Sequence, residues 1–244
     1  MATSKYFTVT VKPTIAASKQ ALGAFTAHDV IFNWTEFDIP KGAARLIGVT
    51  TLVRGTDGAR QEKALDLSFA KTISGTAPSD LGTVHATANG SGYQNHLIAG
   101  IRVDGNDYKD GLDIMALASS GYGASTTQIP SHVLQGEPET GTNVGFDKLY
   151  IAATGAAFNF ASTVQVATET ATSTSAVVVK TTSALTNFDK GDVLHDEDDQ
   201  LIGTIKSVTD ATNIVLEANA ANVSAVNKDL YNINPLTFIL SFER

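Results

Sequence analysis

Alternation of apolar and polar positions dominates this chain, and its period is two. In "YFTVTV" the residues Phe7, Val9 and Val11 alternate with Tyr6, Thr8 and Thr10, which predicts a first strand ending at Pro13. "TIAASKQALGAFTAHD" breaks the pattern and reads as a connection with one helical turn at Ser18 to Leu22. "VIFNWTEFDIPKG" resumes it, with Ile31, Asn33, Thr35 and Phe37 on one face and Phe32, Trp34 and Glu36 on the other. Pro40 and Gly42 end that strand with turn chemistry. "ARLIGVTTLVRG" and "KALDLSFAKT" follow across a hairpin-type loop at Thr56-Asp57-Gly58, the second placing Leu65, Leu67 and Phe69 on one face.

The middle is looser. "SGTAPSDLGTVHATANGSGYQNHL" and "GASTTQIPSHVLQGEPETGTNVG" read as long irregular connections, and loops of that length in a β domain commonly serve binding or packing. "HLIAGIRVDG" and "LDIMALASSG" are expected to pair around "DGNDYKDG". "KLYIAATGAAF" is a further strand.

Near residue 163 the texture changes to Thr, Ser and Ala, followed by three short strands, "GDVLHD", "LIGTIKSV" and "TNIVLEA". Residues 163–234 hold two of the chain's 18 aromatics, Phe188 and Tyr231, together with ten acids against four lysines. "NPLTFILSFER" then restores the aromatic alternation of the beginning, through Leu236, Phe238, Leu240 and Phe242. These shifts predict an all-β chain: a first domain from residues 1–162 plus 235–244, and a small β-barrel, 163–234, inserted between two of its strands.

Composition narrows the functions. The 244 residues carry 17% charged side chains and a net charge of −8, with no Lys/Arg cluster to replace phosphate counterions, so nucleic acid is not an expected partner. The absence of cysteine removes disulfides, thiolate zinc sites and cysteine nucleophiles. No apolar run approaches the roughly 20 residues of a membrane helix. "MATSKYFTVTVKP" lacks the apolar core of a signal peptide, so synthesis in a cytoplasm and no membrane partner are expected.

Candidate chemistry begins with the acidic row Asp196, Glu197, Asp198 and Asp199. An EF-hand loop starting at Asp196 would need glycine where Leu201 stands and glutamate where Ser207 stands. The row therefore reads as a solvated hairpin tip that resists edge pairing. Asp104, Asn106 and Asp110 could meet around Ca²⁺, although Asp-Gly and Asn-Asp pairs are also ordinary turn formers. His28, His85, His96, His132 and His195 never stand two or four residues apart, which gives no zinc motif. There is no Gly-x-Ser-x-Gly elbow, and "GYGAST" lacks the third glycine of a phosphate loop. Trp34, the only tryptophan, reads as a core anchor, with a sugar-stacking platform as the functional alternative. Asn33-Trp34-Thr35 and Asn222-Val223-Ser224 fit a glycosylation pattern without a secretion signal. No catalytic, cofactor-binding or metal residue is assigned, and no cofactor is expected.

"FDKGDVLHDEDDQLIGTIKSVTDATNIVLEANA" resembles a β module of virion structural proteins from tailed phages, especially marine ones infecting cyanobacteria. The remainder resembles, in texture, the β-sandwich or jelly-roll scaffold of head-decoration and other virion proteins, which implies a jelly-roll-like β-sandwich for residues 1–162 plus 235–244. The resemblance implies a non-enzymatic capsid decoration or cement protein in the virion. Its partners would be the major capsid protein or other virion proteins, and it would be a homo-oligomer, with a trimer preferred. A carbohydrate- or receptor-binding module on a tail or appendage is the alternative.

Overall fold

In the computed structural model, residues 5–40, 42–54, 59–109, 115–120, 130–138, 147–180 and 187–244 are described. Fifteen named strands and one short helix, α1 (Ala17–Gln20), form three antiparallel sheets, so the all-β expectation holds. The first sheet contains β1 (Tyr6–Val11), β3 (Ala43–Arg54), β6 (Tyr108–Lys109), β7 (Met115–Ser119), β8 (His132–Gln135) and β15 (Leu236–Glu243). Its order is β1-β15-β3-β7-β6, with β8 lying beside β7 on the same flank of β3. The second runs β2-β9-β4-β5, from β2 (Asp29–Asp38), β9 (Lys148–Gly155), β4 (Leu65–Lys71) and β5 (Leu97–Val103).

The pairing of these strands is nested. First pairs with last (β1·β15), β2 with β9, β3 with β7, and β4 with β5, as if one long hairpin had been rolled up. Rolling places the apolar faces of both sheets against each other. Leu236, Phe238, Leu240 and Phe242 are all 0% exposed, and each contributes roughly 2–3 kcal/mol of burial. Phe32 of the second sheet meets Phe238 of the first at 5.5 Å between ring centroids, which ties the layers together.

Local irregularities explain where alternation changes phase. In β3 the buried set is Ala44 and Leu46, then Val49, Thr51 and Val53; a register shift opposite Ser241/Phe242 inserts Ile47 and moves the inward parity by one residue. In β2 two register shifts bury Asp29 to Phe32 in succession. Trp34 is consequently not in the main core, contrary to the sequence reading. It is half-buried on the outer face, where its Nε1 donates to Ser79 O at 2.8 Å under the long 72–96 loop. Tyr93 packs beside it at 6.1 Å.

Two other expectations change. β5 and β7 do not pair, because the nested order gives β5 to β4 and sends the chain to the other sheet through the turn at Gly105–Asp107. The second long connection is also not wholly irregular: His132–Gln135 within it pairs with β3. The loop at Thr56-Asp57-Gly58 lies outside the described residues.

The third sheet has the order β10-β13-β12-β11-β14, built from β10 (Ala176–Val178), β11 (Val193–Asp196), β12 (Leu201–Val208), β13 (Asn213–Leu216) and β14 (Leu230–Asn232). Residues 164–167 bridge its two edges. Val166 N donates to Lys228 O and Leu230 N to Val164 O on one side, while Ala167 N donates to Val178 O and Lys180 N to Gln165 O on the other. The sheet thereby closes on itself. Its core, from Val164 and Val166 to Leu230, is aliphatic except for Phe188.

Candidate functional site

Four of the ten acidic side chains in the 163–234 stretch lie at one corner, the β11–β12 turn, and that corner is built from its backbone upward. Along β11, Leu194 and Asp196 share a parity and both point inward; Asp196 is 2% exposed. Its Oδ1 accepts the N–H groups of Asp198 and Gln200, each at 3.1 Å, and its Oδ2 accepts the Ser224 hydroxyl at 2.9 Å. A carboxylate with three donors can be buried without being left unsatisfied. The turn is therefore not a uniformly solvated tip: Asp196 is its internal clasp.

The other three carboxylates are engaged as well. Glu197 and Asp198 converge on Lys228 at 2.7 and 2.8 Å. Their hydrogen bonds, Asp198 first, hold the Lys228 ammonium above its ordinary pKa. Asp199 takes φ = 65°, and its Oδ1 accepts the backbone N–H of Ser18 at 2.9 Å. Ser18 belongs to α1, so the acidic turn is docked on the segment leading into the sandwich.

That contact is one of a group at the junction. Gln20, fully buried, donates from Nε2 to Ile15 O at 2.8 Å and Asn232 O at 2.9 Å. Ile15 N donates to Ile233 O at 2.8 Å. Arg54, at the end of β3, places Nη1 at 2.5 and 2.6 Å from the two carboxylate oxygens of Asp192. Burial pushes the Asp192 carboxyl above its usual range, and the guanidinium opposes that shift only in part.

A shallow depression lies elsewhere, at the end of the second sheet. Ala27, Ala64, Gly155 and Ala156 contribute small apolar walls, and His28, Asp66 and Arg102 line it with polar groups. Arg102 Nη1 contacts both oxygens of Asp66 at 2.9 and 3.0 Å. His28 sits at φ = 65°, a left-handed conformation that histidine adopts more readily than most residues.

The remaining sequence candidates are spread apart. Asp104 caps the Gly105–Asp107 turn, its Oδ1 accepting from the backbone and side-chain nitrogens of Asn106 at 3.1 and 3.0 Å, while Asp107 accepts from Asp104 N. Asp110 lies outside the described residues. His96 Nδ1 is 2.8 Å from Lys71 O and so carries the proton there. His85 packs against Phe25, and His195 Nδ1 lies 3.0 Å from Asp199 O. Among the described residues, no three His, Asp or Glu side chains come together in a metal-binding group.

Sequence reasoning missed the burial of Asp196, the junction pair Arg54–Asp192 and the depression. The first had a signal, the shared parity with Leu194. The others join residues more than 30 positions apart and had none. Compared with known protein families, curated proteins and solved structures, the chain gives no match.

Proposed function

We propose that this chain is a non-enzymatic structural protein of a tailed-phage virion, bound to the head lattice as a decoration or cement protein. The observation that carries the reading is the nested pairing β1·β15, β2·β9, β3·β7 and β4·β5 across two facing sheets. We read this nesting as that of a jelly roll, a scaffold that recurs in viral capsids and in lectins. The docked barrel supports it, since a part fixed to the sandwich by buried contacts suits a lattice component better than a mobile arm would. Binding would sum many weak contacts over a repeated surface, with a trimer on the local threefold axes as the preferred assembly.

One observation favours a second reading, a carbohydrate- or receptor-binding module. The depression combines small apolar walls with the planar polar groups of His28, Asp66 and Arg102, a combination suited to a sugar ring. Co-sedimentation separates the two. Purified chain is mixed with isolated phage heads and, in parallel, with host cells and immobilised glycans. Saturable association with heads, and a higher temperature of head disruption, are expected. Retention on cells or glycans with no affinity for heads would replace the first reading by the second.

A further inference from the structure

The sandwich has open sheet edges, and they are not equivalent. β1 is bounded by Lys5 on one side and by Lys12 and Pro13 on the other, two charges and a proline that discourage pairing along this edge. β2 already accepts bridges from Val84 and Thr87 of the long loop. β6 has two residues and β8 four. β5 differs from all of these. It has seven residues, Leu97–Val103, and pairs on one side only, with β4. Residues 97–101, Leu-Ile-Ala-Gly-Ile, carry no charge, proline or lysine. No backbone hydrogen bond from any described residue reaches the outer edge of β5.

The side chains along this edge are also incompletely covered. Leu97 is 42% exposed, and Ile98, Ala99 and Ile101 pack against the sandwich core while remaining only half-buried. The one charged residue of the strand, Arg102, is neutralised by the two-oxygen contact with Asp66. A register shift at Ile98 bends the first end of the strand, and beyond it the uncharged edge with unused N–H and C=O groups is a template for another strand.

We infer that β5 is a self-docking edge, pairing antiparallel with the β5 of a second copy of this chain about a twofold axis through Gly100. Parity decides the register. Facing residues in an antiparallel pair share a face of the sheet, so the axis must pass through a residue position and not between two. With the axis at Gly100, Ile101 faces the partner's Ala99 on either side of the axis, within the part of β5 that the register shift at Ile98 leaves regular. These apolar contacts cover the half-exposed rim of both cores. The axis position has no side chain to clash, and the two Arg102 residues fall four positions apart along the edge, roughly 13 Å. No like charges meet. The contact stands whether or not the chain belongs to a virion; within a threefold assembly it would serve as the link between neighbouring clusters.

The test uses Gly100 itself. A Cβ there meets only Leu67 O, at 3.7 Å, so substitution leaves the fold intact. The chain has no cysteine, so Gly100→Cys introduces one thiol per copy. Facing Cα atoms about 4.5–5.5 Å apart lie within disulfide reach. Mild oxidation of the full chain is expected to give a covalent dimer in high yield, whereas Thr8→Cys on β1 gives none. By sedimentation equilibrium at about 100 µM, wild type is expected to self-associate. Gly100→Lys, which sets two ammonium groups face to face, should weaken association at least tenfold with an unchanged circular dichroism spectrum. A monomeric wild type together with an uncrosslinked Gly100→Cys overturns the inference. So does an oligomer that Gly100→Lys leaves unaffected, which would mean that another surface holds the copies.

Discussion

The sandwich and the barrel solve the same problem, the exposed sheet edge, in opposite ways. The barrel closes: residues 164–167 hydrogen-bond to both of its edges, leaving neither open there. The sandwich stays open and relies on Lys5 and Lys12 at β1 and on loop bridges at β2, with β5 unguarded. Their interiors differ in the same sense. The sandwich core is filled by aromatic side chains, Phe32, Phe69 and Phe238 from the facing sheets and Phe158 and Phe160 from the segment after β9. The barrel, too narrow for many rings, uses valine, leucine and isoleucine and fixes its turn with a buried carboxylate. One part is closed, and the other presents an open edge.

Three experiments probe this contrast, helped by the location of the only tryptophan, Trp34, in the sandwich. Its fluorescence follows that part, while far-ultraviolet circular dichroism follows both. The largest effect is expected from Asp196→Ala, which removes the acceptor of the Asp198 and Gln200 N–H groups and orphans the buried Ser224 hydroxyl. A loss of about 3 kcal/mol confined to the barrel should add an early phase to the dichroism curve in urea and leave the fluorescence transition nearly in place. Coincident shifts of both signals would show that barrel and sandwich are one cooperative unit.

Arg54→Ala addresses the junction and is expected to cost about 2 kcal/mol at pH 7, since it leaves the Asp192 carboxylate buried without its counter-charge. The pH dependence has a definite sign. A carboxyl with a raised pKa in the folded state favours folding most when protonated, and its contribution weakens as pH rises through that pKa. Removing Arg54 raises the pKa further. The cost should therefore shrink toward pH 4, and a cost independent of pH would show that the pair is not what joins the two parts. The smallest effect belongs to the outer carboxylates: Glu197→Gln with Asp198→Asn should change stability by less than about 1 kcal/mol, because partly exposed ion pairs contribute little.

Much of the architecture was legible because alternation survives in the strands that build it. β1, β3, β4, β9 and β15 stand where Phe7, Leu46, Leu67, Ile151 and Phe238 place them, and the change of texture near residue 163 coincides with the start of a sheet that shares no strand with the others. Strand pairing was less legible, since β5 and β7 carry similar patterns and only the nested roll decides which partner each receives. Bulges hid the rest: two register shifts in β2 turned Trp34 outward, and no local residue announces them. For the candidate sites, the sequence identified the acidic turn but not its inside and outside. Asp196 differs from Asp199 through Ser224, 28 positions away, and through the parity it shares with Leu194.

The place of the barrel in the chain also sets a timetable. β15 lies between β1 and β3 in the first sheet, yet it is synthesised only after the whole barrel. Until it emerges, β1 lacks the strand it pairs with, and β3 lacks its neighbour on that side. The barrel's strands are complete before that moment. At about 5–20 residues per second, the 72 residues from 163 to 234 delay the closing strand by roughly 4–14 seconds. During that interval the barrel can fold on the ribosome while the sandwich waits, unfinished and apolar, for its final strand.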